Sequence, residues 1–247
     1  MESKIKSLAK ILLPLLFWCL IWQLAAMLID HRFLFPDIPT TIKALVSLLS
    51  EIGFYKAVFF SLTRVLLGLF LGCIFGSLLG ILCHRCKAVN ALISPIISVI
   101  KSTPVASFIV VLWVLMSGDA LSVFIGFLMV MPIIWQNVLD GFSQVDKSLS
   151  EVADVYEFSY GKRFSLLIMP TLKSFLAPAI ITAMGLAWKA EIAAEIIAYT
   201  KNSIGQGIND AKYNLDTATV FAWTLVIILF SLCLEKGAKA LLGRVKK

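Results

Sequence analysis

Arg64, Lys101, Lys189, Glu191 and Glu195 stand inside or at the edges of long apolar runs. An ionisable group at membrane depth is expensive and is a functional candidate by default. The chemistry open to such a set is ion pairing, or lining a watered path for a solute. Bond-breaking chemistry is not expected. The 2 histidines, His31 and His84, both lie outside the apolar runs. There is no HExxH stretch and no Ser–His pairing, so no catalytic residue is assigned. Cys83 and Cys86 form a lone C-x-x-C without the second pair that a zinc site needs. No metal site is expected, and the cysteines read as reduced structural thiols.

Spacing groups the charges. Trp188, Glu191 and Glu195 fall at i, i+3 and i+7, so they share one helix face. Arg64 and Glu195 lie toward the same end of their runs, where they either pair or line one vestibule; the alternative is separate anchoring by snorkelling. Lys101 and Lys189 sit deeper. Thr103-Pro104 interrupts the third apolar run and frees a backbone carbonyl. Irregular backbone at that depth should face protein or a water-filled path. The candidate translocation path is therefore Arg64, Lys101, Ser102, Thr103, Pro104, Trp188, Lys189, Glu191 and Glu195. A buried Lys–Glu network that only holds helices together is the competing reading.

A different chemistry is suggested by EVADVYEFSYGKRFSLLIMP, residues 151–170, where Glu151, Asp154, Glu157, Lys162 and Arg163 cluster between apolar runs. Ser148-Leu149-Ser150-Glu151 matches a capping box, which starts a helix near Leu149. Val152, Val155 and Tyr156 give that helix an apolar side. After a break, Phe164, Leu167 and Ile168 form a second short apolar face that ends near Pro170. Such a hairpin displays polar and apolar groups together and suits docking into a groove on another protein.

The elements that position these residues belong in a bilayer. The chain is 60% hydrophobic and only 15% charged, with a mean hydropathy of +0.92. Soluble domains carry roughly 25% charged residues. The net charge of +7 falls in short patches between apolar runs rather than on one face, which argues against nucleic acid. Six spans of about 20 residues are expected, over 11–29, 57–83, 91–116, 119–139, 177–198 and 217–236. The first reads as an uncleaved span rather than a signal peptide. Basic residues favour the side bearing Lys4, Lys6, Lys10, Arg85, Lys87, Lys147, Lys162, Arg163, Lys173, Lys236, Lys239, Arg244, Lys246 and Lys247. Both termini and the 140–176 loop are therefore expected in the cytoplasm. On the other side, Thr40 or Thr41 is expected to cap a short surface helix with Leu45, Leu48, Leu49 and Ile52 on one face. Trp113, Trp135, Trp223 and Tyr199 read as interface aromatics.

The second span carries Gly68, Gly72, Gly76 and Gly80 at intervals of four. This makes one bare helix stripe, which lets two backbones approach closely in lipid. The contact is either a moving one or static packing within the subunit.

The 151–170 stretch resembles the E-A-A-x3-G-x9-I-x-L-P loop of permease subunits of binding-protein-dependent ABC importers. Glu151, Val152 and Ala153 stand at E-A-A, Glu157 at the Gly, Leu167 at the Ile, and Met169-Pro170 at L-P. FPDIPT, SLTRVLLGLFLG, KSTPVASFIVVLW and GLAWKAEIAAEIIAYTKNSIGQGI are similar to segments of the nitrate, sulfonate and taurine type, so the resemblance covers about residues 35–235. It implies an all-α polytopic bundle of six transmembrane helices, with the type I importer (MetI-like) fold as one domain over 1–247. It further implies coupling helices that seat on a separate ATPase, with Glu151, Val152, Ala153, Val155, Tyr156, Glu157, Gly161, Phe164 and Pro170 as docking residues. The hairpin turn falls either at Glu157, with Ser159 capping the second helix, or at Gly161.

The implied partners are an ABC ATPase dimer carrying ATP and Mg, a second permease copy, an external solute-binding protein and the lipid bilayer of a bacterial inner membrane. No GxxxxGK[ST] is present, so no cofactor is expected on this chain. The resemblance leaves sulfonates, taurine, nitrate or a thiamine-type pyrimidine precursor as substrates. A self-contained secondary transporter or channel is the alternative; it would have no use for a docking hairpin.

Overall fold

In hydrocarbon a backbone N–H or C=O must find its partner within its own segment, so apolar runs become helices. The computed structural model describes residues 2–29 and 34–243, and among these the regular structure is helical, with no strand. The order is α1 (Glu2–Ile29), α2 (Ile38–Leu49), α3 (Ile52–Arg85), α4 (Lys87–Ser102), α5 (Val105–Trp113), α6 (Gly118–Ser143), α7 (Lys147–Val155), α8 (Tyr160–Arg163), α9 (Met169–Ile197), α10 (Ile204–Tyr213) and α11 (Thr217–Gly243). A π-helical turn, Phe164–Ile168, joins α8 to α9. Asp30, His31, Arg32, Arg244, Lys246 and Lys247 lie outside the described residues, as do the side chains of Lys4, Lys6 and Lys10.

The expected six spans are not all realised as single helices. Among the described residues, 4 helices are long and apolar enough to cross a bilayer: Ile52–Arg85, Gly118–Ser143, Tyr160–Ile197 and Thr217–Leu242. The third expected span is split into α4 and α5, which meet at a bend of 100°. Thr103-Pro104 is the cause, because proline cannot donate to the turn before it. The first expected span falls within the single helix α1, of which Leu16–Ile29 is an apolar stretch among the described residues.

The core is a stack of α3 on α6 on α9. Leu69, Val130, Ile134, Val138, Ala179, Ala183 and Ala187 fill its middle. The glycine stripe of α3 faces α6. A Cβ on Gly72 would lie 2.5 Å from Val130 Cβ, on Gly76 2.9 Å from Ile134 Cβ, and on Gly80 2.7 Å from Val138 Cβ. The bare stripe is thus a track for the β-branched ridge of α6, within one subunit. A second cluster joins α2, α3, α9, α10 and α11 through Leu48, Phe54, Val65, Trp188, Ile192, Ile204 and Trp223.

Two sequence expectations need correction here. Asp37, not Thr40 or Thr41, caps α2: its Oδ1 accepts from Thr40 N at 3.0 Å. An aspartate carboxylate facing the helix N-terminus is favoured by the helix dipole as well as by the bond. Trp135 and Trp223 are buried rather than at an interface; Trp223 stacks on Phe54 at 5.2 Å, over Gly207, which leaves room for the indole.

Candidate functional site

The bundle has a hairpin end, where α7 and α8 project, and an opposite far end, where α9 turns into α10. Each end carries one of the two chemistries expected from the sequence.

At the far end Arg64 is buried at 8% exposure and fully engaged. Its Nη1 donates to Glu195 Oε1 at 3.0 Å, and its Nε and Nη2 donate to Asp119 Oδ1 at 3.0 and 2.7 Å. Nη2 also donates to Lys201 O at 3.1 Å, and Nη1 reaches Asn202 O at 3.5 Å. Glu195 Oε2 accepts from Ser61 Oγ at 2.7 Å and from Gly205 N at 3.3 Å, while Ser61 Oγ accepts from Ile204 N at 3.0 Å. One guanidinium thus ties α3, α6, α9 and the α9–α10 connection together. That connection is tightly wound, with Tyr199 and Asn202 at φ 50 and 48. Gly205 is required, since a Cβ there would lie 2.5 Å from the carbonyl carbon of Glu195.

The nine path candidates are not brought onto one surface. Arg64, Trp188, Glu191 and Glu195 are buried inside the chain, whereas Lys101, Ser102, Pro104 and Lys189 are exposed and Thr103 is half-buried. Trp188 Nε1 donates to Ile227 O at 3.1 Å, so this indole ties α9 to α11. Glu191 lies one turn below Glu195, wholly buried, and neither of its carboxyl oxygens has a hydrogen-bond partner among the described residues. Thr103 Oγ1 and N both donate to Val99 O, at 2.7 and 3.0 Å, closing the end of α4 at the break.

At the other end α7 starts at Lys147, two residues earlier than the Ser148 capping box would place it. Asp146 is the cap: its Oδ1 accepts from Ser148 N at 2.8 Å and from Ser148 Oγ at 2.7 Å. These two bonds hold the Asp146 carboxyl below its ordinary value of 3.8. The cap is therefore in place above that pH and is lost as the pH falls through the lowered value. The turn of the hairpin is at Glu157, with φ 46. Phe158 N donates to Ala153 O at 2.9 Å and Glu157 N to Asp154 O at 3.0 Å, the two bonds of a Schellman ending. Ser159 stands at the N-cap of α8 without a side-chain bond, and Gly161 lies within α8.

The second arm does not end near Pro170. It runs through the π turn into α9, with Met169 N donating back to Phe164 O. The widened turn accommodates Pro170, which has no N–H and would crowd a regular turn. Hence the arm and the fifth expected span form one continuous helical rod, Tyr160–Ile197. Arg163 pairs with Asp154 and donates to Ser150 O at 2.9 Å, clasping the two arms. Arg85 Nη2 donates to Tyr160 Oη at 2.9 Å, linking the end of α3 to the hairpin.

Of the docking candidates, only Ala153 is buried, at 2%; Val155 and Tyr156 are exposed at 81% and 72%. Glu151, Val152, Glu157, Gly161, Phe164 and Pro170 are exposed as well. Apolar side chains so exposed next to charges mark an interaction surface.

A left-handed residue with a Cβ costs about 1 kcal/mol, so Glu157→Gly is predicted to stabilise the hairpin by about that amount. Hydrogen exchange at the Glu157 and Phe158 amides should slow about fivefold; unchanged or faster exchange would count against a strained turn.

Sequence reasoning missed Asp119, Ser61 and Asp146, and it named Arg163 as one charge of the 151–170 cluster without its partners. Asp119 follows Gly118 in the first turn of α6, and an acidic residue there is a signal on its own. The pairing of Ser61 with Glu195 spans 134 positions, and no local pattern announces it.

Comparison with known proteins identifies the family and the fold. The profile of the family described as "Binding-protein-dependent transport system inner membrane component" matches residues 68–247. The taurine transport system permease protein TauC of Escherichia coli is 24% identical over 231 residues, covering 91% of this chain and 83% of that protein. The bicarbonate transport system permease protein CmpB of Synechococcus elongatus is 29% identical over 219 residues, covering 83% and 79%. Among solved structures, an inward-facing MetNI methionine ABC transporter chain superimposes with a TM-score of 0.67 at 12% identity, over 79% of this chain and 97% of that one.

Proposed function

Because the chain belongs to the family of binding-protein-dependent transport system inner membrane components, we propose that it is one half of a permease dimer in an ABC importer, driven by a separate ATPase through the 148–170 hairpin. The observation that carries the coupling role is the exposed hairpin. Val155 and Tyr156 at its tip are too exposed for a residue whose only role is in the fold. Its second arm is continuous with a spanning helix, so a push at the tip moves α9 as a rod. ATP and Mg belong on the partner ATPase. An external binding protein meets the far end, and the hairpin end and both termini face the cytoplasm.

The substrate is proposed to be a small anion or zwitterion. The similar proteins are described as permeases for taurine, bicarbonate and aliphatic sulfonates. Lys101 and Lys189 are exposed on the chain's surface, and Glu191, which would have opposed an anionic path, is turned inward and wholly buried. The test is reconstitution of the chain with its ATPase and binding protein in liposomes, followed by ATP-dependent uptake of taurine, an alkane sulfonate, nitrate and bicarbonate. Uptake of one of these, lost without the ATPase, supports the reading. ATP-independent uptake would favour a self-contained carrier instead.

A further inference from the structure

We infer that Arg64 has two seats and that exchange between them latches and unlatches the far end of the bundle. The occupied seat is Glu195 with Asp119. The second is the carboxyl of Glu191, one helical turn, about 5.4 Å, toward the hairpin end.

The second seat is already built. Glu191 has 0% exposure and no hydrogen-bond partner on either oxygen among the described residues. A buried polar group left unpaired is costly, and this site is kept for it at the expense of side chains on two other helices. A Cβ on Gly68 of α3 or on Gly126 of α6 would overlap Glu191 Oε1. The registers match: Gly68 follows Arg64 by one turn on α3, as Glu191 precedes Glu195 by one turn on α9. Because α3 and α9 run in opposite directions, both steps lead toward the hairpin end. Gly68, the residue of α3 beside the second seat, adds no side chain of its own there.

The exchange leaves few groups stranded. Glu195, once vacated, keeps Ser61 Oγ at 2.7 Å and Gly205 N at 3.3 Å. Asp119 is 75% exposed at its side chain and returns to solvent. Glu191 gains its first partner. What is lost is the grip of Arg64 on Lys201 O and Asn202 O, so the α9–α10 connection is released. An element with two arrangements of similar energy is what a gate requires.

The experiment uses the full chain, in the assembly in which it purifies, held in lipid nanodiscs. Thr200 is 2% exposed and adjoins the carbonyl that Arg64 holds. Thr200→Cys, with the 5 native cysteines replaced, reports release by its reaction rate with a water-soluble maleimide. Glu195→Gln weakens the first seat and should raise that rate about tenfold. Adding Glu191→Gln removes the second seat, leaves Arg64 with Asp119, and should bring the rate back to within about threefold of the parent. If the double variant reacts as fast as Glu195→Gln or faster, the damage is simply additive and the proposal is overturned. No change with Glu195→Gln overturns it too. Should Glu195→Gln not fold, the same pair is made with Asp119→Asn, at an exposed position, and read in the same way. The assay needs neither ATPase nor solute, so its failure is distinct from failure of the importer reading.

Discussion

Leucine at Gly76 will prevent the chain from accumulating as a folded membrane protein. A Cβ at that position would already lie 2.7 Å from Met131 O and 2.9 Å from Ile134 Cβ. Met131 O is backbone and cannot turn aside, and Ile134 is 1% exposed with its branch fixed by helix geometry. The only relief is to part α3 from α6, the most extensive helix pairing in the chain. In lipid that separation is not resisted by a hydrophobic force between helices; it forfeits the close dispersion contacts that hold them. Overpacking in a core costs about 1–3 kcal/mol, and four added heavy atoms against backbone should exceed the top of that range. The folded fraction in mild detergent, followed by size-exclusion profile and thermal unfolding, should fall at least about tenfold. Gly185→Leu is the control, because nothing lies within 4 Å of its added Cβ. Equal yields of the two variants would show that the stripe is not a packing track.

Tyr156→Asp and Glu151→Lys will leave the bundle folded but reduce ATP-driven uptake by about tenfold or more each. Both side chains are exposed and the α7 backbone bonds do not depend on them, so stability should change by no more than about 0.5 kcal/mol. Tyr156 is 72% exposed at the tip of the hairpin. An aromatic group anchored in a partner's groove is the usual centre of binding energy, and an aspartate there would be buried without a counter-charge. Reversing the charge at Glu151 places repulsion wherever the ATPase offers a cation. The measurements are co-purification of the ATPase and the ratio of solute moved to ATP hydrolysed. Retained binding with full uptake in both variants would remove the hairpin from the coupling route. Failure confined to Arg163→Gln would instead indicate that the clasp to Asp154 and Ser150 O, rather than the tip, is what transmits force.

Much of this protein is written locally. Apolar runs read directly as helices because the bilayer offers no other partner for the backbone. Thr103-Pro104 announced its own break, and the glycine spacing announced a close helix contact. The departure from glycine at position 157 correctly located the turn as one of two alternatives, since the Schellman bonds need only a left-handed residue and pay for its Cβ elsewhere. The charges were visible as well, but their grouping was not. Lys189 and Glu191 are two residues apart on α9 and therefore point to different sides of it, one out of the bundle and one into it.

By itself, then, the sequence determined the helical class, the membrane setting and the hairpin, because each rests on composition or on spacing within one segment; the family was legible only through the resemblance of several segments to known ones. Only the tertiary structure decided which charges meet. Arg64 faces Asp119 across 55 positions and Glu195 across 131, and the pairing depends on the register of α3 against α6 and α9. That register is set by glycines packed under β-branched side chains on another helix. The same packing gives Glu191 its seat and leaves it without a partner. Such three-body contacts leave no periodic trace in the chain, so they become legible only when the helices are placed side by side.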